Sequence, residues 1–163
     1  MVSRTDKAEI LQRIIARLSH DLEVIFTAAK TAHEAATHDE NAPDNKYDTL
    51  ALEASYVAQG QANRAQEIRK SIELYRQLKP QGADDDIIRL SSLVTLEQAD
   101  GATKMMFIGP IEGGLKIEHQ GKTIMVITPG SKMGRELIGK SVGDSVEIRT
   151  GTSSTEYEIV EVF

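Results

Sequence analysis

Residues 38–48 read HDENAPDNKYD, and the sequence on either side of this stretch is arranged as a mirror image. Apolar or small residues recur at steps of three and four, and each one before residue 41 has a counterpart at nearly the same distance after residue 42. The pairs are Ala36 with Tyr47, Ala32 with Leu50, Ala29 with Ala54, Ile25 with Val57, Leu22 with Gln61, Leu18 with Ala65, Ile14 with Ile68, and Leu11 with Ile72. This arrangement predicts two antiparallel helices of equal length packed along one seam, with the turn at Asn41 and Ala42.

The residues that would begin and end these helices are also recognisable. Asp6 is a candidate N-cap for the first helix, and Glu9 three positions later completes a pattern like a capping box. Pro43 suits the opening turn of the second helix, because the first turn needs no backbone N–H from it. The sequence therefore predicts an antiparallel coiled-coil hairpin over residues 1–78 with an acidic tip at residues 39–44.

Three carboxylates, those of Asp39, Glu40 and Asp44, cluster at this tip. Asp44 has a structural explanation, because the helix dipole favours acids in a first turn. Asp39 and Glu40 follow the end of the first helix, where the dipole disfavours negative charge, so their placement indicates a function, although a solvated loop also tolerates acids. Mg²⁺ is commonly bound by one or two carboxylates with water and substrate phosphates. Such a tip would bind the ion weakly or not at all until a partner completes the site.

The sequence pattern changes after residue 78. Residues 79–90 contain Pro80, Gly82 and a run of aspartates, which is typical of a linker. From residue 91 onward apolar residues alternate with polar ones between glycine-containing turns, as in β-strands. The predicted strands are 93–97, 104–108, 115–119, 123–127, 145–149 and 156–160, and one short helix is predicted at 131–138. The fold class is therefore α+β, with residues 91–163 forming a small antiparallel sheet domain.

Composition limits the possible functions. A formal net charge of −6 argues against a broad basic face for nucleic acid, so any such role should be indirect or local. The absence of cysteine fits a reducing compartment and excludes thiolate chemistry. No apolar run approaches the roughly 20 residues that span a bilayer, so we expect a cytoplasmic protein without a membrane partner. No nucleophile or phosphate-binding loop is recognisable, which favours an accessory factor over an enzyme.

Two stretches, DNKY at residues 44–47 and ITPGSKMGRELIGKSVGD at residues 127–144, resemble parts of the bacterial Gre transcript-cleavage factors. The segment DNKY at residues 44–47, at the end of an alanine-rich hairpin, is similar to the tip of the family's N-terminal coiled coil. The segment ITPGSKMGRELIGKSVGD at residues 127–144 looks like the signature of the family's C-terminal domain, and residues 157–162 fit its last strand. The resemblance implies an FKBP-like fold for residues 91–163.

The resemblance also implies a function. The chain would bind RNA polymerase through its C-terminal domain and insert the hairpin into the secondary channel. Glu40 and Asp44, with Asp39 in reserve, would then stabilise Mg²⁺ shared with the polymerase, so that backtracked RNA is cleaved. The RNA 3′ end would be contacted only indirectly, by a monomeric factor.

A polymerase-contacting surface is implied by the same resemblance. In this setting Pro129, Ser131 and Met133 would contact the polymerase, while a core role for Met133 is equally compatible with the sequence. FKBP-type domains include prolyl isomerases, whose pocket has aromatic walls. The chain contains no Trp, and the only Phe and Tyr rings of this domain are those of Phe107, Phe163 and Tyr157, so we do not expect isomerase activity.

One departure from the family pattern leaves alternatives open. Asn41 stands where the family has a tip aspartate, three residues before the position that Asp44 occupies. Asp39 or Glu40 would have to replace that aspartate. Family relatives that occupy the channel and inhibit transcription also have acidic tips, so a channel-binding regulator without cleavage activity is one alternative. A coiled-coil dimerisation protein that never meets polymerase is another.

Overall fold

The computed structural model describes residues 3–37, 48–80, 82 and 85–163. These residues form two long helices followed by a six-stranded sheet and one short helix. The elements are α1 (Arg4–Thr37), α2 (Asp48–Gln77), β1 (Leu93–Glu97), β2 (Thr103–Ile108), β3 (Lys116–His119), β4 (Lys122–Ile127), α3 (Lys132–Leu137), β5 (Ser145–Thr150) and β6 (Ser153–Val162). The predicted α+β class is confirmed, and so are the six predicted strands and the short helix.

The chain divides into two compact units. One comprises Met1–Ile15 together with Leu74–Phe163, and the other comprises Ala16–Glu73. The first unit, called the sheet unit below, therefore contains the first turns of α1 and the end of α2 as well as the sheet. The domain limits after residues 78 and 90 were placed where the sequence pattern changes, and they stay a prediction.

Within Ala16–Glu73, Ser71 is buried off the seam, and the described apolar side chains that are buried occupy the predicted seam positions. They are Leu18, Ala65, Ile68 and Ile72, none more than 6% exposed. Phe26 lies off the seam and is exposed, and the Arg69 guanidinium lies over its ring at 4.6 Å from the centroid, which is a cation–π distance. The helical phase predicted from the sequence is confirmed for the described side chains, because three- and four-residue steps place one face of a helix inward.

Helix α1 begins earlier than its predicted cap. The Asp6 N–H donates to Ser3 Oγ at 3.2 Å, and the Ser3 N–H donates to Asp6 Oδ2 at 3.0 Å. This is a capping box with Ser3 as the N-cap and Asp6 as its acid. The prediction of Asp6 as N-cap and Glu9 as acid was therefore wrong by one turn. Ser and Asp cap helices about equally well, and both pairs have the same spacing, so the local pattern does not distinguish them.

The sheet has the strand order β3-β4-β2-β1-β6-β5. Neighbouring strands are antiparallel except β2 and β4, which are parallel. The predicted antiparallel sheet is confirmed for the other four strand pairs, and the parallel pairing of β2 with β4 was not predicted. After β2 the chain crosses to the sheet edge to form β3, so the hairpin that follows returns β4 beside β2 in the same direction.

The sheet unit is buried on both faces of its central strands. One face carries an apolar cluster to which α3 contributes Leu137, and Met133 packs against that cluster. On the other face Phe107 of β2 contacts Tyr75 of α2, with ring centroids 6.5 Å apart. The cluster consists of Ile88, Val94, Leu96, Met106, Ile108, Ile127, Leu137, Val146, Tyr157, Ile159 and Val162. Among the described residues, no helix has the length and apolar character needed to cross a bilayer.

Candidate functional site

The acidic tip lies between the two long helices in the sequence. Helix α1 ends at Thr37 and α2 begins at Asp48. Asp39, Glu40 and Asp44 fall between these limits and lie outside the described residues. Their assignment as catalytic and Mg²⁺-directed groups stays a prediction.

Ser131, a predicted polymerase contact, has a structural role at the start of α3. Its Oγ accepts a hydrogen bond from the Gly134 N–H at 3.0 Å, as an N-cap does. The same hydroxyl donates to the Thr128 carbonyl at 2.7 Å. The side chain thus fastens the helix to the turn that precedes it.

The other two predicted contacts, Pro129 and Met133, are half-buried. Met133 packs against the apolar cluster of the sheet, which supports its core role. Gly134 approaches the turn so closely that a Cβ on it would lie 2.0 Å from the Thr128 carbonyl oxygen. Only glycine permits this approach, so the GSKMG segment is shaped largely by packing.

Residues 137–144 form a second turn, and its backbone conformation requires glycine at two positions. Gly139 and Gly143 have φ angles of 88° and 95°, where a Cβ is disfavoured. Asp144 Oδ2 accepts a hydrogen bond from the Ser141 N–H at 2.9 Å and closes the turn before β5. Turn geometry therefore accounts for Gly139, Gly143 and Asp144 at the end of the segment 127–144.

An open groove with a basic lining lies beside strands β2, β3 and β4 in the sheet unit. Lys104, Lys116 and Lys122 line it together with Met105 and Met125. We did not predict this groove, because its lysines lie on three different strands and become neighbours only through the strand order.

A cluster of titratable groups was also missed. His119 of β3 is 6% exposed, and its Nε2 lies 3.2 Å from Asp6 Oδ1 at the start of α1. Its Nδ1 lies 3.8 Å from Glu9 Oε2. Hydrogen bonds from Ser3 and then from His119 hold the pKa of Asp6 below its usual range. The only available sequence signal was that His119 shares the inward phase of its strand with Ile117.

Comparison with known proteins gives matches to one family. Residues 83–163 match the family model described as transcription elongation factor, GreA/GreB, C-term. Transcription elongation factor GreA of Rickettsia canadensis is 29% identical over 129 residues, covering 79% of this chain and 74% of the relative. Transcription elongation factor GreA of Rhodospirillum rubrum is 25% identical over 155 residues, covering 91% of this chain and 92% of the relative.

A solved structure, the crystal structure of Thermus aquaticus Gfh1, is also similar. It covers 97% of this chain and 94% of its own at 22% identity, with a TM-score of 0.40, which is too low to support a structural argument. The family match contains residues 127–144, the C-terminal stretch that carries the resemblance, and the two relatives bear the name GreA. The chain is GreA/GreB-like: residues 83–163 match the model of the family's C-terminal domain, and GreA relatives align with most of the chain.

Proposed function

We propose that the chain is a transcription elongation factor that binds RNA polymerase, inserts its helical hairpin into the secondary channel and stimulates Mg²⁺-dependent cleavage of backtracked RNA. The observation that carries the proposal is the match of residues 83–163 to the GreA/GreB C-terminal family. Two relatives that align with most of the chain are transcription elongation factors by name, which supports it. In this role the chain is a cytoplasmic accessory factor, and the nuclease centre belongs to the polymerase.

Glu40 and Asp44 are the proposed Mg²⁺-directed pair, with Asp39 in reserve. Carboxylate oxygens are the ligands that Mg²⁺ prefers, and two of them alone hold the ion weakly, so the isolated chain should bind little of it. The ion, when bound, supplies a second metal that orients and activates the attacking water. The residues of this chain contribute position and charge, bringing two carboxylates to a site that the polymerase completes.

Transcript cleavage in a stalled, backtracked complex tests the proposal. The chain should shorten the RNA, and Asp44→Asn should reduce the cleavage rate on the order of a hundredfold, because a ligand lost or misplaced by about 1 Å has an effect of that size. Glu23→Gln is the matched control, since it removes an exposed acid from α1 without touching the tip. Cleavage that survives Asp44→Asn would show that the metal pair is assigned wrongly.

A channel-occupying regulator without cleavage activity is a second candidate, and Asn41 in place of the family's aspartate favours it. The transcript-cleavage assay distinguishes the two functions. Polymerase binding with inhibited elongation and unshortened RNA would support the regulator. A chain that forms a dimer and does not associate with polymerase would contradict both functions and leave the dimerisation protein.

Pro129, Ser131 and Met133 remain the proposed polymerase contacts. Ser131 and Met133 also hold α3 against the sheet. Substituting either would therefore change the fold as well as any contact. Binding measurements on such variants need a parallel measurement of stability.

A further inference from the structure

We propose that the sheet unit contains a binding site for a divalent first-row transition-metal ion, with Zn²⁺ as its occupant. His119 Nδ1 and the Glu9 carboxylate are the protein ligands, and Asp6 is a positioning residue that orients the imidazole. One ligand atom from each of these three residues lies within 4.8 Å of the others. The site is independent of the tip acids, so the proposed role in transcription can fail without affecting it.

The Nδ1 atom of His119 is the observation that indicates a missing ligand. It is buried and has no hydrogen-bond partner in the structure. The nearest carboxylate oxygen, Glu9 Oε2, is 3.8 Å away, beyond hydrogen-bond distance. Buried polar atoms in folded proteins are almost always paired, and each exception needs a reason. An ion between Nδ1 and the Glu9 carboxylate would supply the missing partner.

Asp6 prepares the imidazole for this role. Its Oδ1 is 3.2 Å from His119 Nε2, and its Oδ2 is held by the N–H and the hydroxyl of Ser3. A proton on Nε2 that is donated to Oδ1 leaves the lone pair on Nδ1. Histidines that bind metals in proteins usually donate their other ring N–H to a carboxylate in this way. The carboxylate is itself fixed by the helix cap, so the ring orientation is set before an ion arrives.

The geometry of Glu9 suits an ion that enters from solvent. Ligand bonds to Zn²⁺ of about 2.0–2.2 Å place two tetrahedral ligands roughly 3.3–3.6 Å apart. The observed 3.8 Å between His119 Nδ1 and Glu9 Oε2 is only slightly longer. The Glu9 side chain is 49% exposed, so it can adjust its rotamer, and water can fill the remaining positions.

The ligand set selects among metals. An imidazole nitrogen paired with a carboxylate suits Zn²⁺, Co²⁺ or Ni²⁺. Mg²⁺ and Ca²⁺ prefer oxygen ligands throughout. With two protein ligands the affinity should be lower than that of a closed four-ligand structural site. The bound ion would link the first turns of α1 to the end of β3 within the sheet unit.

A Zn²⁺ titration of the full chain, followed by nitrogen NMR of the histidine side chains, tests the proposal directly. We expect a saturable change at His119 Nδ1, a Tm that rises with Zn²⁺ concentration, and reversal of both by EDTA. Mg²⁺ at the same concentrations should produce neither change. Glu9→Gln should lower the Zn²⁺ affinity at least tenfold, while Glu156→Gln, which removes an exposed acid from β6, should not.

The role of Asp6 has its own measurement. Asp6→Asn should change the proportion of the two neutral His119 tautomers in the metal-free protein, which a purely structural cap would leave unaltered. Undiminished Zn²⁺ affinity in Glu9→Gln, or a Tm increase without any change at His119 Nδ1, would overturn the site. An unchanged tautomer ratio in Asp6→Asn would overturn the positioning role.

Discussion

Tyr75 shows how much of the sheet unit depends on single side chains. It lies near the end of α2, is fully buried, and donates a hydrogen bond from its hydroxyl to the Ile111 carbonyl at 2.6 Å. Gly109 leaves room for this bond, because a Cβ at that position would lie 2.2 Å from the hydroxyl. Burial raises the pKa of Tyr75, which keeps the phenol protonated and able to donate.

The Tyr75 hydrogen bond gives a stability prediction. Tyr75→Phe should lower the free energy of unfolding by about 1–2 kcal/mol, because the Ile111 carbonyl loses its donor in a part-buried position. Denaturant unfolding measures the effect. Tyr157→Phe is the matched control, since Tyr157 bonds the Gln98 side chain, which is only partly buried and can turn to water. An equal loss in both variants would contradict the special role of Tyr75.

Lys7 gives a prediction about pH. The residue is 1% exposed, and its Nζ donates to the main-chain oxygen of Phe163 at 3.1 Å. Burial lowers the pKa of Lys7 to about 8, from a usual value of 10.5. Between pH 8 and pH 10.5 the unfolded state binds more protons than the folded state. The free energy of unfolding should therefore increase with pH over this range, by at most about 3 kcal/mol.

The control for this pH effect removes the titrating group. In Lys7→Met the increase in the free energy of unfolding between pH 8 and 10.5 should be smaller than in the unaltered chain. Lys122→Met, which removes an exposed lysine of the same unit, should retain the full increase. Identical pH profiles for the unaltered chain and Lys7→Met would refute the burial penalty.

At the scale of elements, the short helix α3 is stabilised by its contacts with the rest of the sheet unit. A helix of six residues has little stability of its own, so the Ser131 cap and the close approach of Gly134 to the Thr128 carbonyl hold it in place. The alternation of apolar residues was sufficient to predict the strands, because the two faces of a strand differ in burial. The start of α1 was not predictable in the same way, because two capping patterns one turn apart are chemically equivalent.

Gly134→Ala tests the packing of α3. The added Cβ would meet the Thr128 carbonyl oxygen at 2.0 Å, so the helix or the turn must shift, and we expect a loss of about 2–4 kcal/mol in unfolding free energy. Gly130→Ala is the matched control in the same turn, since a Cβ there meets nothing within 4 Å. Equal unfolding midpoints in urea for the two variants would refute the steric argument.

At the scale of the whole molecule, the C-terminal domain and the acidic tip differ in the evidence that supports their proposed roles. The family match covers residues 83–163, whereas the proposed chemistry resides in Asp39, Glu40 and Asp44 outside that range. Polymerase binding and RNA cleavage are therefore separable outcomes. A chain that binds polymerase without cleaving would retain the function of its C-terminal domain and lack that of its tip.

By itself, the sequence determined the described part of the helical seam, the six strands, the short helix and the GreA/GreB-like character of residues 83–163. Periodicity and turn chemistry are local properties, so neighbouring residues are enough to show them. Only the tertiary structure decided that β2 and β4 run parallel, that Lys7 is buried, and that His119 meets Asp6 from 113 residues away. These features depend on contacts between distant segments. Local sequence patterns do not predict such contacts, because strand order and packing set their geometry.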